Sequence, residues 1–368
     1  MAHELFIPGR PVISGGIGEK LLQVGGDTNV LRPYIGEDGQ SYVTMNYGTR
    51  EEPEYEAVPV SNAATLRKDE WVTFDQVVLK AARTRLRAWA DLRAANTYGG
   101  FDGMASMILE HETMSDPGEA FTDFDGLTEG RRAAPKFQME GLPLPITHSS
   151  FWFPARRLLM SRKMGNPLDS AMAEAAGRRV AEEIERVTIG TTVGRSLSPT
   201  NVAEYGSTPK IYGYTNFPYR TTKTNMTAPT TGGWTPATYI NEVLDMIESL
   251  NTNGFYGPFM VYHSTDWSKY MNQDYSGAKG DNTLRDRVKK IEQIQDVRRL
   301  DFLTNTFTTL LVQMTADVAR AVNGMDITTI QWESMGGMRF DFKVMAIQVP
   351  QLRADITGKT GIAHGTTA

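Results

Sequence analysis

The clearest periodic signal lies over residues 167–189. Leu168, Met172, Ala176, Val180, Ile184 and Val187 step by four, four, four, four and three, which predicts one amphipathic helix. Asn166 is a good N-cap, Pro167 suits the first helical position, and Gly190 and Gly194 close the element. Such a helix of about 23 residues would be roughly 35 Å long. The i,i+4 pairs Arg178–Glu182, Arg179–Glu183 and Glu182–Arg186 line its polar side, each worth about 0.2–0.5 kcal/mol. A second stripe runs through Trp71, Phe74, Val78, Ala81, Leu86, Trp89 and Leu92 and predicts a helix over 69–95, ended by Gly99 and Gly100. Its Arg83, Arg85, Arg87 and Arg93 would face solvent or a partner.

Further along, Thr235-Pro236 opens a third helix with Ile240, Val243, Leu244, Ile247 and Leu250 on one face. The run from Phe255 to His263 reads as a buried strand, and a short helix follows from about Thr283 to Gln293. Strand-like runs occupy 307–314, 327–333 and 338–349, while 195–230 is loop-like. This order gives a mixed α/β or α+β domain, without solenoid repeats.

Two stretches break the helical period. Residues 1–65 are rich in Gly and Pro, which on composition alone fits a flexible tail. Tyr34, Tyr42, Tyr47 and Tyr55 add apolar anchors, the mixture expected of an extended arm lying on neighbouring subunits. Residues 101–147 have an acidic, turn-rich middle (Glu110, Glu112, Asp116, Glu119, Asp123, Asp125, Glu129) and a basic return (Arg131, Arg132, Lys136). A strand-like run from Lys136 to His148 follows. The stretch reads as a long two-stranded excursion with a charged tip, and Pro143 and Pro145 suit an edge strand.

Composition narrows the function classes. A net charge of −5 argues against a dedicated duplex-DNA reader. The chain has no cysteine, so disulfides, thiol nucleophiles and cysteine metal sites are excluded. No secretory signal pattern opens the sequence, and no apolar run approaches the roughly 18 residues of a membrane span.

Motifs for chemistry are sparse. Gly358-Lys359-Thr360 resembles the end of a phosphate-binding loop, but Arg353 stands where its first glycine belongs. Gly15, Gly16 and Gly18 follow no convincing strand. His3, His111, His148, His263 and His364 share no metal-ligand spacing, and Asp123, Asp125 and Glu129 lack that of a calcium loop. The expectation is no catalytic, cofactor or metal site.

The carrying residues of a resemblance are Leu142-Pro-Leu-Pro-Ile-Thr-His148 leading into Phe151-Trp-Phe153; Gly165-Asn-Pro-Leu-Asp169 opening a helix with Glu182-Glu183; Tyr212-Gly-Tyr-Thr-Asn-Phe-Pro218; and Asn253-Gly-Phe-Tyr-Gly-Pro-Phe259. In that order, over roughly 66–350, the chain resembles the Hong Kong 97-type major capsid proteins of tailed bacteriophages, especially their encapsulin-like branch. The resemblance implies an α+β capsid fold with an N-terminal arm (1–65), an N-terminal helix region (66–100) and an E-loop reaching over an adjacent subunit (101–147). It further implies a peripheral domain with a spine helix (148–199), an axial domain (200–320), return strands of the peripheral domain (321–350) and a C-terminal tail (351–368).

The implied function is a non-enzymatic shell subunit. It would form pentamers and hexamers of an icosahedral head around double-stranded DNA, touch that DNA non-specifically, and work with portal, scaffold or decoration proteins. It would reside in the virion after assembly in the host cytoplasm. In some such shells a lysine on the excursion joins an asparagine on a neighbour with a glutamate as proton acceptor; Lys136, Asn323 and Glu333 are the positions to examine. The first rival is a cellular encapsulin-type compartment enclosing cargo enzyme, disfavoured by the long 1–65 segment. The second is a soluble α/β enzyme, which would need a convergent cluster of acids, bases or ligands.

Overall fold

Uninterrupted apolar runs in the C-terminal half set the architecture. Phe259–His263 and Thr309–Gln313 are buried at every position, as expected of strands covered on both faces. The computed structural model describes residues 32–36, 38, 40–46, 55–59, 66–67, 72, 75–80, 86–114, 122, 124, 137–157, 160, 171–191, 211–275, 282–303 and 306–367. In chain order the elements are β1 (Tyr34–Ile35), β2 (Ser41–Asn46), β3 (Tyr55–Pro59), β4 (Leu66–Arg67), α1 (Arg87–Ala95), β5 (Thr97–Tyr98), β6 (Ile108–Met114), β7 (Phe137–Pro143), β8 (Thr147–Pro154) and α2 (Ala171–Ile189). Then come β9 (Thr221–Met226), α3 (Pro236–Thr252), β10 (Phe259–His263), α4 (Leu284–Lys289), β11 (Ile294–Arg299), β12 (Thr309–Gln313), β13 (Ala319–Ser334), β14 (Arg339–Leu352) and β15 (Ile362–Thr367).

Two sheets carry the body. The first has the order β5-β13-β14-β8, with the 16- and 14-residue strands β13 and β14 antiparallel at its centre. Helix α2 lies on it, burying Ala176, Val180 and Ile184 together with Phe151, Phe153 and Phe342. The second sheet has the order β11-β10-β12-β15-β9. Alternation along β10 splits its two faces. Met260 and Tyr262 join the α2 core, while Phe259 and Val261 join a separate core beneath α3 and α4. In that second core Tyr239, Val243, Met246 and Leu250 of α3 are buried, whereas Leu244 is exposed. Thr283 and Asp286 form a reciprocal capping box at the start of α4.

Several expectations change. The predicted 69–95 helix is interrupted: residues 75–80 are helical, Leu86 adopts φ −85°, ψ 78°, and α1 restarts at Arg87. On the long helix, Met172 is exposed and the buried face instead contains Ala173, Gly177 and Ala181. Small residues serve there because neighbours come close; a methyl group on Gly177 would stand 2.9 Å from a Val78 side-chain carbon. The run 136–148 is not one strand. It breaks at residues 144–146, between β7 and β8.

The largest correction concerns 351–368, expected as a tail. Ile362–Thr367 forms β15, between β12 and β9, with Ile362, Ala363 and His364 buried. Gly358-Lys359-Thr360 is the turn that leads into it. Gly358 has φ +77°, and the Asp355 carboxylate accepts the Lys359 backbone N–H at 2.6 Å. A strand follows this turn, not the helix that a phosphate loop requires. Within 195–230, read as loop, β9 forms an edge strand. The described part of 1–65, with Leu66–Arg67, makes a small sheet of order β3-β2-β1-β4. Arg32 pairs with Asp75, and Tyr34 packs on the α2 core.

Candidate assembly interface

The excursion is a two-stranded ladder, β6 against β7, from Ile108↔Pro143 to Met114↔Phe137. Its two faces differ. Leu109 and Leu142 point inward and pack with Leu144, Val322, Ile347 and Val349. That anchors the base, with help from the Leu144 N–H donated to the Met107 carbonyl at 2.8 Å and Arg353 donated to the Glu112 carbonyl at 3.2 Å. The opposite face carries Ile108, Glu110, Glu112, Met139 and Phe137, with Phe137 57% and Met139 63% exposed. Exposed Phe137 and Met139 beside two glutamates leave large apolar side chains bare on a two-stranded ribbon, which alone is only marginally stable and whose edges invite pairing. The acidic tip and Lys136 lie outside the described residues.

A second protruding surface is the β13–β14 turn. Met335, Gly336 and Gly337 all have positive φ (52°, 65° and 82°), and Met335 and Met338 are largely exposed. Trp152 on edge strand β8 lies alongside, half exposed, with the Arg339 guanidinium 4.7 Å from its ring centre.

Behind these surfaces, α1 is held to α2 by a residue that the sequence reading passed over. Helix α1 has neither a capping side chain nor an acid in its first turn. Glu185 supplies both from α2, accepting the N–H groups of Ala88 at 2.8 Å and Trp89 at 3.1 Å. Burial raises its pKa to about 7, against the opposing pull of these backbone donors. The available signal was a carboxylate one residue after Ile184, on the buried side of the helix. At the C-terminus of α2, just beyond Glu185, Gly190 has φ +93° and the loop of Gly213–Thr215 folds back on the last turn. Tyr214 N–H reaches the Thr188 carbonyl and Thr215 N–H the Ile189 carbonyl, satisfying groups a helix end leaves open.

The proposed cross-link positions do not converge within one subunit. Asn323 and Glu333 sit ten positions apart on β13, roughly 30 Å of extended strand. The Asn323 amide is engaged, donating to Asp326 at 3.3 Å and accepting from Gln348 at 3.2 Å. The four described histidines stay apart. His111 lies 3.5 Å from Glu140, with its pKa lowered chiefly by burial. His148 is lowered mainly by burial, and His263 and His364 are both lowered to about 4, again by burial first. Among the described residues no cluster of His, Asp or Glu is arranged to hold a metal, and no helix is long and apolar enough to cross a membrane.

This arrangement of an anchored excursion, a long helix on a four-stranded sheet and a second sheet with its own helices is the Hong Kong 97-type capsid fold. The virus-like particle from Pyrococcus furiosus matches at TM-score 0.52 and 12% identity, covering 80% of this chain and 98% of that one. The capsid of Myoviridae phage XM1 matches at TM-score 0.56 and 10% identity, covering 75% and 90%. The capsid of an empty GTA particle matches at 0.53 and 8%, covering 77% and 91%. The chain belongs to the family of unknown function DUF6260, whose model matches residues 62–365. No curated protein matches the sequence.

Proposed function

We propose that this chain is the major capsid protein of a tailed bacteriophage, a subunit that self-assembles into an icosahedral shell and performs no catalysis. The observation that carries the reading is the β6–β7 ribbon, anchored by its inner face and left with Phe137 and Met139 exposed on the outer one. A second copy is the natural cover for such a face in a fold shared with capsids. Pentamers and hexamers, non-specific contact with enclosed double-stranded DNA, portal, scaffold or decoration partners, and assembly in the host cytoplasm before residence in the virion complete the proposal.

The test is expression of the full chain followed by sedimentation and negative-stain microscopy. Closed particles are expected. A persistent monomer or dimer under assembly conditions would refute the shell. Nucleic acid recovered from native particles supports a genome container; enzyme cargo without a genome would instead favour an encapsulin-type compartment.

A further inference from the structure

Beside the ends of β10 and β11 lies a half-open cavity of about 570 Å³, a size typical of ligand sites. Four guanidinium groups line it: Arg87 from the start of α1, Arg285 from α4, and Arg298 and Arg299 from the end of β11. Ser268 and Asn272, near the turn after β10, add a hydroxyl and an amide. Among the described residues Asp296 is the one carboxylate on the lining, and it is already engaged by Lys289 and Arg298, each at 3.1 Å. Arg298 also pairs with Asp91, and Arg299 pairs with Asp301 at 2.9 Å. Arg87 and Arg285 have no ion-pair partner among the described residues; Arg87 reaches only the Arg299 carbonyl, at 3.4 Å.

Among the described residues the lining therefore offers donors in excess of acceptors, and Arg87 and Arg285 make no ion pair, although the charge of Arg285 is felt by Asp286. Its field is felt locally: burial first, then the charges of Arg285 and Arg299, keep His263 neutral at the cavity wall. An occupant must bring negative charge and acceptor oxygens on several sides. A carboxylate brings one charge and two oxygens. A phosphate group brings more of both in one compact unit, and guanidinium forks match it bidentately.

We propose that this cavity is a phosphate site, filled by nucleic-acid phosphodiester or by free phosphate ion. The first source rests on the reading of the chain as a genome shell; the second does not.

The full-length protein, both unassembled and as particles, is titrated with inorganic phosphate by calorimetry and with a short labelled DNA duplex by fluorescence anisotropy. The double variant Arg87→Gln/Arg285→Gln should weaken binding by about tenfold or more, the loss of charge-assisted hydrogen bonds. Arg285→Gln alone, at an exposed residue without an ion pair, keeps the test valid if the double variant does not fold. Phosphate and duplex both bound, and both lost in the variant, support the nucleic-acid source; phosphate alone supports the free ion. No binding of either probe overturns the proposal. So does a loss no greater than that in Lys223→Gln, outside the cavity, or binding of an acidic peptide spanning residues 115–130 in place of phosphate. Microscopy of the same samples separates the two readings, because phosphate binding without particles refutes the shell and leaves the site.

Discussion

The Glu185 carboxylate of α2 accepts the backbone N–H of Ala88 at 2.8 Å, so the later helix caps the start of the earlier one. Glu185 is 2% exposed, and without it the N–H groups of Ala88 and Trp89 would be buried without that acceptor. Glu185→Ala should cost about 2–4 kcal/mol, read as a lower denaturant midpoint of the unassembled subunit. Glu185→Gln keeps one acceptor oxygen and should lose roughly half as much.

The same residue gives the stability a pH dependence. Its folded pKa of about 7 lies above the ordinary 4.5. Between those values the folded state holds a proton that the unfolded chain has released. The contribution is thus fully present below about pH 4.5 and is lost as pH rises through about 7. Wild type should lose stability relative to Glu185→Gln across this window; parallel stability–pH curves for the two proteins would contradict the assignment.

Gly213 is the point of closest approach at the C-terminal end of α2. A methyl group there would lie 2.5 Å from the Val187 carbonyl oxygen and press on the backbone of Gly190. Backbone on backbone leaves nothing to rotate away, so Gly213→Ala should cost about 3 kcal/mol. Hydrogen exchange should show the last turn of α2 losing protection.

On the ribbon, Phe137→Asp and Met139→Asp alter exposed positions. Subunit stability should change by about 0.5 kcal/mol or less, while particle yield in sedimentation should collapse. Normal particle formation by both variants would remove the ribbon's outer face from the interface.

Deleting residues 362–367 removes the strand that joins β12 to β9. An insoluble product, or one that has lost the cooperative melting of the wild type, is expected. A soluble variant with unchanged melting would show that the second sheet closes without β15.

The sequence made the major helices and central strands legible where apolar spacing is regular: Val180 and Ile184 on α2, Val243 and Ile247 on α3, and the run Phe259–His263. It misled where local polarity and tertiary role diverge. Thr366 and Thr367 follow Gly361, Gly365 and a buried His364, a composition that reads as a tail yet forms an internal strand. Leu86 carries the apolar period through a non-helical backbone, so periodicity alone joined two helical pieces. The arginines of the cavity come from three separate elements, and no spacing reveals that they meet. The exposed ribbon was foreseeable as an excursion, but which face stays bare depends on where Leu109 and Leu142 dock.

The position of β15 also sets a clock. Among the described residues β9 pairs with no strand but β15, and β15 is made long after α3, β10 and β12. Neither sheet can close early in synthesis: the first waits for β14 (Arg339–Leu352) and the second for β15 (Ile362–Thr367). Polysomes crowd growing copies together, and this strand order keeps each of them from offering either finished sheet until β14 and β15 have been made.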